Sequence, residues 1–448
     1  MAEKRKKVWV RYVRLAAAAV FLLLTGLAFS GFGAAIALFL HVQFGPALVN
    51  CAAAISLGTL IIVLGIVIVT VLFGRFYCSV FCPLGILQDI IGFLSRRKSK
   101  PARDLRWVRY GIAGVVYGLL ISGWSGGFLL LDPYSNFGRI FAVFSHGGLI
   151  PLLVIIALAV WKKRIYCTAV CPVGTLLGLF AQTAVFKLAI KGKCVKCGTC
   201  VKYCPAGCID LEKGVIDNER CVRCMNCTSR CPLSSIGFAA PVKKEWKQDV
   251  SRRKFLIGGG TLIAGLAAGA VLAKTGLGKL AEFAKRFKIL PPGAGNAARF
   301  ASKCTACQLC TANCPAKIIV PAPGGDGPVS LDLSKGACRY DCNRCSQVCP
   351  TGAIVPLTLE VKRKTKIAEA KFDPQKCIVF QEGTQCGKCA QACPAGAVVL
   401  RKNGTPRPVK TALCIGCGAC QFVCPAPGKA ITVHEIEKQT ILDDKGKS

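Results

Sequence analysis

Charge is scarce in this chain, and acidic charge is scarcest of all: 18% of its 448 residues are charged, and 22 Asp and Glu stand against 59 Lys and Arg. Long disordered segments need high charge and few apolar residues, so that class is excluded. The sequence holds no C-x-x-C-H run for covalent haem, no G-x-G-x-x-G after a strand-like stretch, no Walker run and no evident flavin motif. Without a bond-making site, the chemistry on offer belongs to cysteine. Length sets few limits: at about 150 residues per domain it allows roughly three units, which can bury a core without disulfides.

What is abundant is apolar. Hydrophobic residues make up 53% of the chain and the mean hydropathy is +0.48, a balance that places part of it in lipid. The net charge of +37, read alone, suggests nucleic acid or an anionic membrane surface. Much of that excess lies where a positive-inside topology needs it, and nucleic acid drops out as a partner.

Cysteine is the second abundance. Chance placement of 30 Cys and 23 Pro gives about 1.5 Cys-Pro pairs, whereas the sequence has eight, each closing a local Cys group: Cys82, Cys171, Cys204, Cys231, Cys314, Cys349, Cys393 and Cys424 are all followed by Pro. A disulfide scaffold has no reason to repeat that ending. The run C-x2-C-x2-C-x3-C-P is the bacterial ferredoxin pattern, in which three close thiolates hold one 4Fe-4S cube and the fourth reaches its neighbour.

Four apolar stretches come first, about Leu15 to Gly33, Ile55 to Gly74, Val108 to Gly126 and Ile140 to Trp161, each near the length that crosses hydrocarbon. Six Lys and Arg precede Leu15, none falls between residues 33 and 54, eight lie from Arg75 to Arg109, and Lys162-Lys163-Arg164 follow the fourth stretch. The N-terminus, the second link and the exit of the fourth span are therefore predicted to be cytoplasmic, with the first span uncleaved. Ile86 to Leu94 and Leu176 to Ile190 read as helices at the cytoplasmic interface.

Inside this domain Arg75-x-Tyr77-Cys78-x3-Cys82-Pro83-Leu84-Gly85-x-Leu87 recurs as Arg164-x-Tyr166-Cys167-x3-Cys171-Pro172-Val173-Gly174-x-Leu176. The i,i+4 spacing puts each pair of sulfurs on one helical face, and the repeat lets the two pairs meet as four ligands of a seventh cluster. Core packing, a redox-active disulfide and a zinc site compete with that reading.

Two ferredoxin runs follow, Cys194/Cys197/Cys200/Cys204 and Cys221/Cys224/Cys227/Cys231. Ligand exchange assigns Cys194, Cys197, Cys200 and Cys231 to one cube and Cys221, Cys224, Cys227 and Cys204 to the other. After a basic linker, Ser251-Arg252-Arg253-Lys254-Phe255-Leu256 stands before a Gly- and Ala-rich apolar stretch, which reads as a twin-arginine signal for exporting a folded domain, with an ordinary basic flank to a fifth span as the alternative. The last part carries four more groups: Cys304/Cys307/Cys310/Cys314, Cys338/Cys342/Cys345/Cys349, Cys377/Cys386/Cys389/Cys393 and Cys414/Cys417/Cys420/Cys424. Zinc, the alternative for all six, is usually built from two separated pairs rather than a tight triplet with a Cys-Pro. Lys317 to Val320 and Ala397 to Leu400 read as short strands. Cys51 and Cys208 read as packing or spectator residues, and His41 and His146, one on each predicted outer loop, as ordinary interfacial histidines, with hydrogen bonding to a quinol as the lesser reading.

The predicted organisation is a basic tail (1–14), a four-span α-helical membrane bundle (15–190), a two-cluster ferredoxin module (191–242), a linker with the twin-arginine motif and a fifth connecting span (243–274), and a four-cluster polyferredoxin domain (275–448), the cluster domains being α+β and ferredoxin-like.

On the paired R-x-Y-C-x3-C-P-x-G repeats, the first 240 residues resemble the NapH-type membrane polyferredoxins of periplasmic nitrate reductase systems. From Ser251 on, with the twin-arginine segment, Leu290-Pro291-Pro292-Gly293-Ala294, four cluster groups and the C-x8-C gap, the chain resembles the exported NapG-type ferredoxins. The resemblance implies a fusion in the bacterial inner membrane, with a cytoplasmic 191–242 module and a periplasmic 275–448 domain. It would be a menaquinol dehydrogenase relaying electrons through six clusters, or seven, from the quinone pool to a periplasmic reductase or cytochrome, with the twin-arginine machinery as export partner. Two other readings stand beside it: a maturation or regulatory polyferredoxin that reduces a client metal centre, and a cytoplasmic ferredoxin-to-quinone relay.

Overall fold

The computed structural model describes residues 2–32, 42–53, 57–95, 104–122, 130–141, 149–191, 194–239, 258–272, 289–321, 328–401, 405–406 and 409–442. The twin-arginine motif, His41 and His146 lie outside them. The chain forms two compact units, Met1–Leu27 with Leu38–Gly276, and Ala28–Ala37 with Leu277–Ser448.

The first unit is built on helices: α1 Ala2–Leu27, α2 Phe44–Ala53, α3 Leu57–Phe73, α4 Pro83–Leu94, α5 Arg106–Ile121, α6 Pro133–Phe141, α7 Leu149–Lys162, α8 Pro172–Gln182 and α9 Gly258–Leu272. Pro83, Pro133 and Pro172 each open a helix, where a missing N–H costs nothing and a fixed φ suits the first turn. The outward faces are oily: Leu23, Leu57, Ile61, Ile68, Ile121, Leu153 and Ile263 are all exposed.

The span expectation needs correction in detail. Among the described residues one helix, Val8–Ser30, is long and apolar enough to cross a membrane, while Leu57–Phe73, Pro83–Leu94, Leu152–Lys162, Pro172–Gln182 and Gly258–Leu272 are apolar but shorter. The fourth stretch does not begin at Ile140, because Ile140 lies in the last turn of a separate helix, α6. Residues 44–53 and 130–139, placed in outer links by the sequence, are largely helical. The second interfacial helix stops at Gln182, and Lys187–Ile190 is instead strand β1, paired antiparallel with β4, Ile236–Ala239.

Helix α9 meets α5 through glycines at matching i,i+4 spacing. A Cβ on Gly114 would lie 2.5 Å from the Leu262 carbonyl oxygen, one on Gly265 would lie 2.7 Å from that of Gly111, and Gly118 and Gly269 are equally tight. Two G-x3-G faces allow this backbone approach, and any side chain there would force the helices apart.

The ferredoxin parts are short strands and single helical turns. In the first unit Ile209–Asp210 pairs with Val215–Ile216. In the second, Ile319–Pro321 pairs with Val329–Leu331, Thr365–Lys366 with Thr440–Ile441, and Glu369–Phe372 with Ile431–His434. The strand expected at Ala397 to Leu400 is not formed beyond one bridge from Leu400 to Pro406. Its backbone is used elsewhere: the Ala397 N–H donates to Cys393 Sγ, and its carbonyl accepts from Lys410.

Candidate metal centres

Outside the membrane repeats the thiols gather four at a time, and each set draws three from one run and the fourth from another run's Cys-Pro. Cys194, Cys197 and Cys200 line one pocket with Cys231, and Cys221, Cys224 and Cys227 line another with Cys204. In the second unit Cys338, Cys342 and Cys345 share a pocket with Cys314, Cys377, Cys386 and Cys389 with Cys424, and Cys414, Cys417 and Cys420 with Cys393. The sixth set is Cys304, Cys307, Cys310 and Cys349, with charge on the other three bearing on Cys310. The fourth thiol is exchanged between neighbouring runs in the C-terminal unit too, a pairing the sequence left open. Empty volumes of the pockets run from about 330 Å³ to about 380 Å³.

Backbone conformation explains why these runs close on a point. In the four regular runs the residue before the second Cys and the residue after it are both left-handed: Lys196 and Gly198, Arg223 and Met225, Ala306 and Gln308, Gly416 and Gly418. Such alternation turns successive N–H groups to one side, a concavity suited to an anion. The groups at Cys338 and Cys377, with their longer gaps, lack that pair.

The Cys-Pro ending has its own geometry. Gly207, Ser234, Lys317, Gly352 and Gly396, each three residues after the Cys, are left-handed and donate N–H to that Cys carbonyl. The chain then returns an N–H to sulfur: Ser235 to Cys231 at 3.3 Å, Ile354 to Cys349 at 3.4 Å, Ala397 to Cys393 at 3.2 Å and Ala430 to Cys424 at 3.3 Å. Proline sets φ for the turn, and the N–H groups soften the charge of a thiolate. Four thiols around an apolar pocket, with amides aimed at sulfur, fit a four-thiolate iron–sulfur group.

Cys208 is no bystander in position. Its sulfur lies 3.5 Å from Cys204 Sγ, and it lines the pocket of the second run as a fifth thiol. Cys51, on α2, is half-buried.

The two membrane pairs also come together, by a different construction. Cys78, Cys82, Cys167 and Cys171 are all buried, and charge on Cys167 and Cys78 bears on both Cys82 and Cys171. The arginine of each repeat crosses to the other. Arg75 Nη2 donates to the Cys167 carbonyl at 2.8 Å and faces Cys78 Sγ at 3.9 Å, while Arg164 Nη1 donates to the Cys78 carbonyl at 2.7 Å. Gln88 Nε2 reaches Cys167 Sγ at 3.3 Å. Gly85 and Gly174 leave room for these arms, since a Cβ on either would press on the carbonyl and the crossing guanidinium.

The single helical face expected for each pair is corrected. Cys82 and Cys171 have extended backbone and cap α4 and α8, and Cys171 Sγ accepts from the Gly174 N–H at 3.3 Å. The cause is the following proline, which drives the residue before it out of the helical region. A thiol at a helix N-terminus faces the positive end of the dipole, which favours thiolate.

Charge around these thiols is lopsided. Arg164 pairs in a fork with Asp89 at 2.7 Å and 2.6 Å, and Arg14 joins at 3.5 Å. Burial opposes charge on Asp89, yet the two arginines hold its carboxyl below the ordinary value. Arg75 is 1% exposed, and no carboxylate pairs with it among the described residues. A buried guanidinium needs an anion, and thiolates are the ones at hand.

The two-cluster module is fastened to this site. Buried Glu219 receives Arg106 at 3.0 Å, Tyr110 Oη at 2.6 Å and Arg109, while its carbonyl accepts from Arg75 at 3.2 Å. The Arg164 N–H donates to the Pro205 carbonyl at 3.4 Å, and the Arg164 guanidinium responds to charge on both Cys167 and Cys224.

The sequence reading missed a second repeat. Tyr77 Oη donates to Gln43 Oε1 at 2.9 Å and accepts from the Phe44 N–H at 3.0 Å; Tyr166 Oη accepts from Asn136 Nδ2 at 3.0 Å and donates to the Leu131 carbonyl at 2.8 Å. The short echo Gln43-Phe44-Gly45 and Asn136-Phe137-Gly138 was the available signal.

Comparison with known proteins agrees with this geometry. A 4Fe-4S binding domain family matches residues 55–101 and 144–191, the two membrane repeats, and a second 4Fe-4S binding domain family matches 301–317. Two 4Fe-4S dicluster domain families match 193–235 with 337–397, and 383–431. The chain is similar to the ferredoxin-type protein NapH of Escherichia coli, 31% identical over 32% of this chain and 52% of that protein. It is also similar to the methylamine utilization ferredoxin-type protein MauN of Paracoccus denitrificans, 30% identical over 30% and 48%. The ferredoxin-type protein NapF of Escherichia coli is 29% identical over 33% of this chain and 85% of its own length. The chain spans about half the length of NapH and MauN, and no solved structure matches. It is an iron–sulfur protein of the ferredoxin type, with several 4Fe-4S binding domains.

Proposed function

We propose that the chain is a membrane-bound electron relay of the NapH/NapG kind, in which six four-thiol sets and the four membrane thiols each hold a 4Fe-4S cluster, with a quinol as electron donor. The observation that carries it is the buried bridge within the first unit: Arg164 holds the Cys78 carbonyl with its side chain and the Pro205 carbonyl with its N–H, and Arg75 ties the Cys167 carbonyl to that of Glu219. That bridge makes the membrane thiols neighbours of the second cluster pocket rather than a separate feature.

Each bound cluster would take and give one electron at a time. The protein's part is to fix the stations and hold their charge: Cys-Pro turns aim amides at sulfur, the crossed arginines balance the membrane thiolates, and Glu219 anchors the module. The apolar outer faces of α1, α3, α5, α7 and α9 support a bundle that sits in lipid. A periplasmic place for the C-terminal unit rests on the twin-arginine motif, Ser251-Arg252-Arg253-Lys254-Phe255-Leu256.

The test is anaerobic addition of a reduced menaquinol analogue to the detergent-purified chain, followed by cluster bleaching. Rapid bleaching is expected. Clusters that dithionite reduces and the quinol does not would contradict the donor assignment and favour maturation of a client metal centre.

A further inference from the structure

We propose that Asp132 is the proton-binding carboxylate of the membrane thiol centre: one electron added at Cys78, Cys82, Cys167 and Cys171 is matched by one proton added at Asp132 Oδ1. The inference rests on reading those thiols as a metal centre.

Asp132 is fully buried at the start of α6. Its Oδ2 accepts from the Ser135 N–H at 2.8 Å and from Ser135 Oγ at 2.9 Å. Its Oδ1 has no hydrogen-bond partner among the described residues and presses on Gly45 in the first turn of α2, at a spot that a Cβ would occupy. One oxygen is built in and the other is left open.

The groups that face it are Arg139 on its own helix, Tyr77 and Tyr166 beside the first thiol of each pair, and Tyr117 on α5. All three phenol protons are committed, Tyr77 to Gln43, Tyr166 to Leu131 and Tyr117 to the Pro172 carbonyl at 3.0 Å. None of them is directed at Oδ1. Burial pushes the Asp132 carboxyl up to about 6, against the pull of Ser135 and Arg139, so a small change in nearby charge moves its proton near neutral pH.

An electron arriving at the thiols adds one negative charge in a poorly screened interior, and a proton arriving at Oδ1 cancels it. The electron comes from a quinol in the cell and from dithionite in the test. The proton comes from the quinol hydroxyl or from water, respectively. When the electron moves on, the carboxyl releases its proton, and the net charge of the site is the same before and after.

The test is a redox titration of the full-length purified protein by electron paramagnetic resonance at several pH values. The membrane centre is identified as the signal lost in a Cys78→Ala/Cys167→Ala variant. Its midpoint should fall as pH rises above about 6, approaching about 59 mV per unit for one proton and one electron, and should be flat in Asp132→Asn. Ser135→Ala keeps the carboxyl and the backbone N–H but removes the hydroxyl donor to its charged form, so the onset of the slope should move to higher pH. A flat wild-type midpoint, or an unchanged slope in Asp132→Asn, overturns the assignment. If no signal is lost in the cysteine variant, the underlying reading fails, a result distinct from a centre that is present and pH-independent. Should Asp132→Asn lose the centre, the wild-type reduced-minus-oxidised infrared spectrum decides: a carboxyl band appearing on reduction supports the proposal, and its absence overturns it.

Discussion

In the proposed arrangement, the six soluble thiol sets and the membrane set offer the same four donors with opposite means of holding them. In the soluble sets three thiols come from one short run, left-handed residues curl the backbone, and amide N–H groups face sulfur. In the membrane set two thiols come from each of two distant repeats, the second of each pair caps a helix, and guanidinium groups cross between repeats. The lesson is about neutralising charge. Backbone N–H groups face sulfur in the first kind, while crossed guanidinium groups, one of them balanced in turn by Asp89, brace the second.

The largest effect should come from removing a crossed arginine. Arg164→Ala strips a buried fork from Asp89 and a donor from the Cys78 carbonyl, a loss of about 3–5 kcal/mol. Iron analysis should show the membrane centre gone and the soluble sets retained. Uniform loss of iron would mean that the two kinds of site do not differ in the way described.

Glycine at Cys-run positions sharpens the comparison. Gly416→Ala would drive a Cβ into the Ala368 backbone, so thermal unfolding should come earlier and the Cys414 set should bleach first on heating. Ala306, at the matching position of another run, is already left-handed without being glycine. Ala306→Gly should relieve strain of about 1 kcal/mol and raise the unfolding midpoint slightly. If both changes act with the same sign, backbone handedness is not what shapes the runs.

A smaller effect is expected at the α5–α9 crossing. Gly265→Leu places a side chain against the Gly114 backbone and should cost about 1–3 kcal/mol as overpacking. Protease cleavage in the linker before α9 should speed up, with the iron signals unchanged.

The soluble thiol sets were readable because three ligands are local: spacing alone placed Cys194, Cys197 and Cys200 together. Pairing across the C-terminal runs needed three dimensions, since nothing local links Cys424 to Cys377. The membrane repeat was equally plain, and the prolines after Cys82 and Cys171 already argued against one continuous helix through each pair. Asp132 was invisible for another reason. A lone acid in an apolar link carries no pattern, and its open oxygen arises from Gly45, distant in sequence. Charge counting likewise could not show α2 and α6, because uncharged outer links read alike whether coiled or helical.

The most direct test of the central claim is iron per chain in the wild type against Cys78→Ala/Cys167→Ala, both purified anaerobically. With seven four-iron centres the account predicts about 28 iron atoms falling to about 24. Equal iron in the two proteins would contradict it, and would leave the crossed arginines holding thiols that bind no metal.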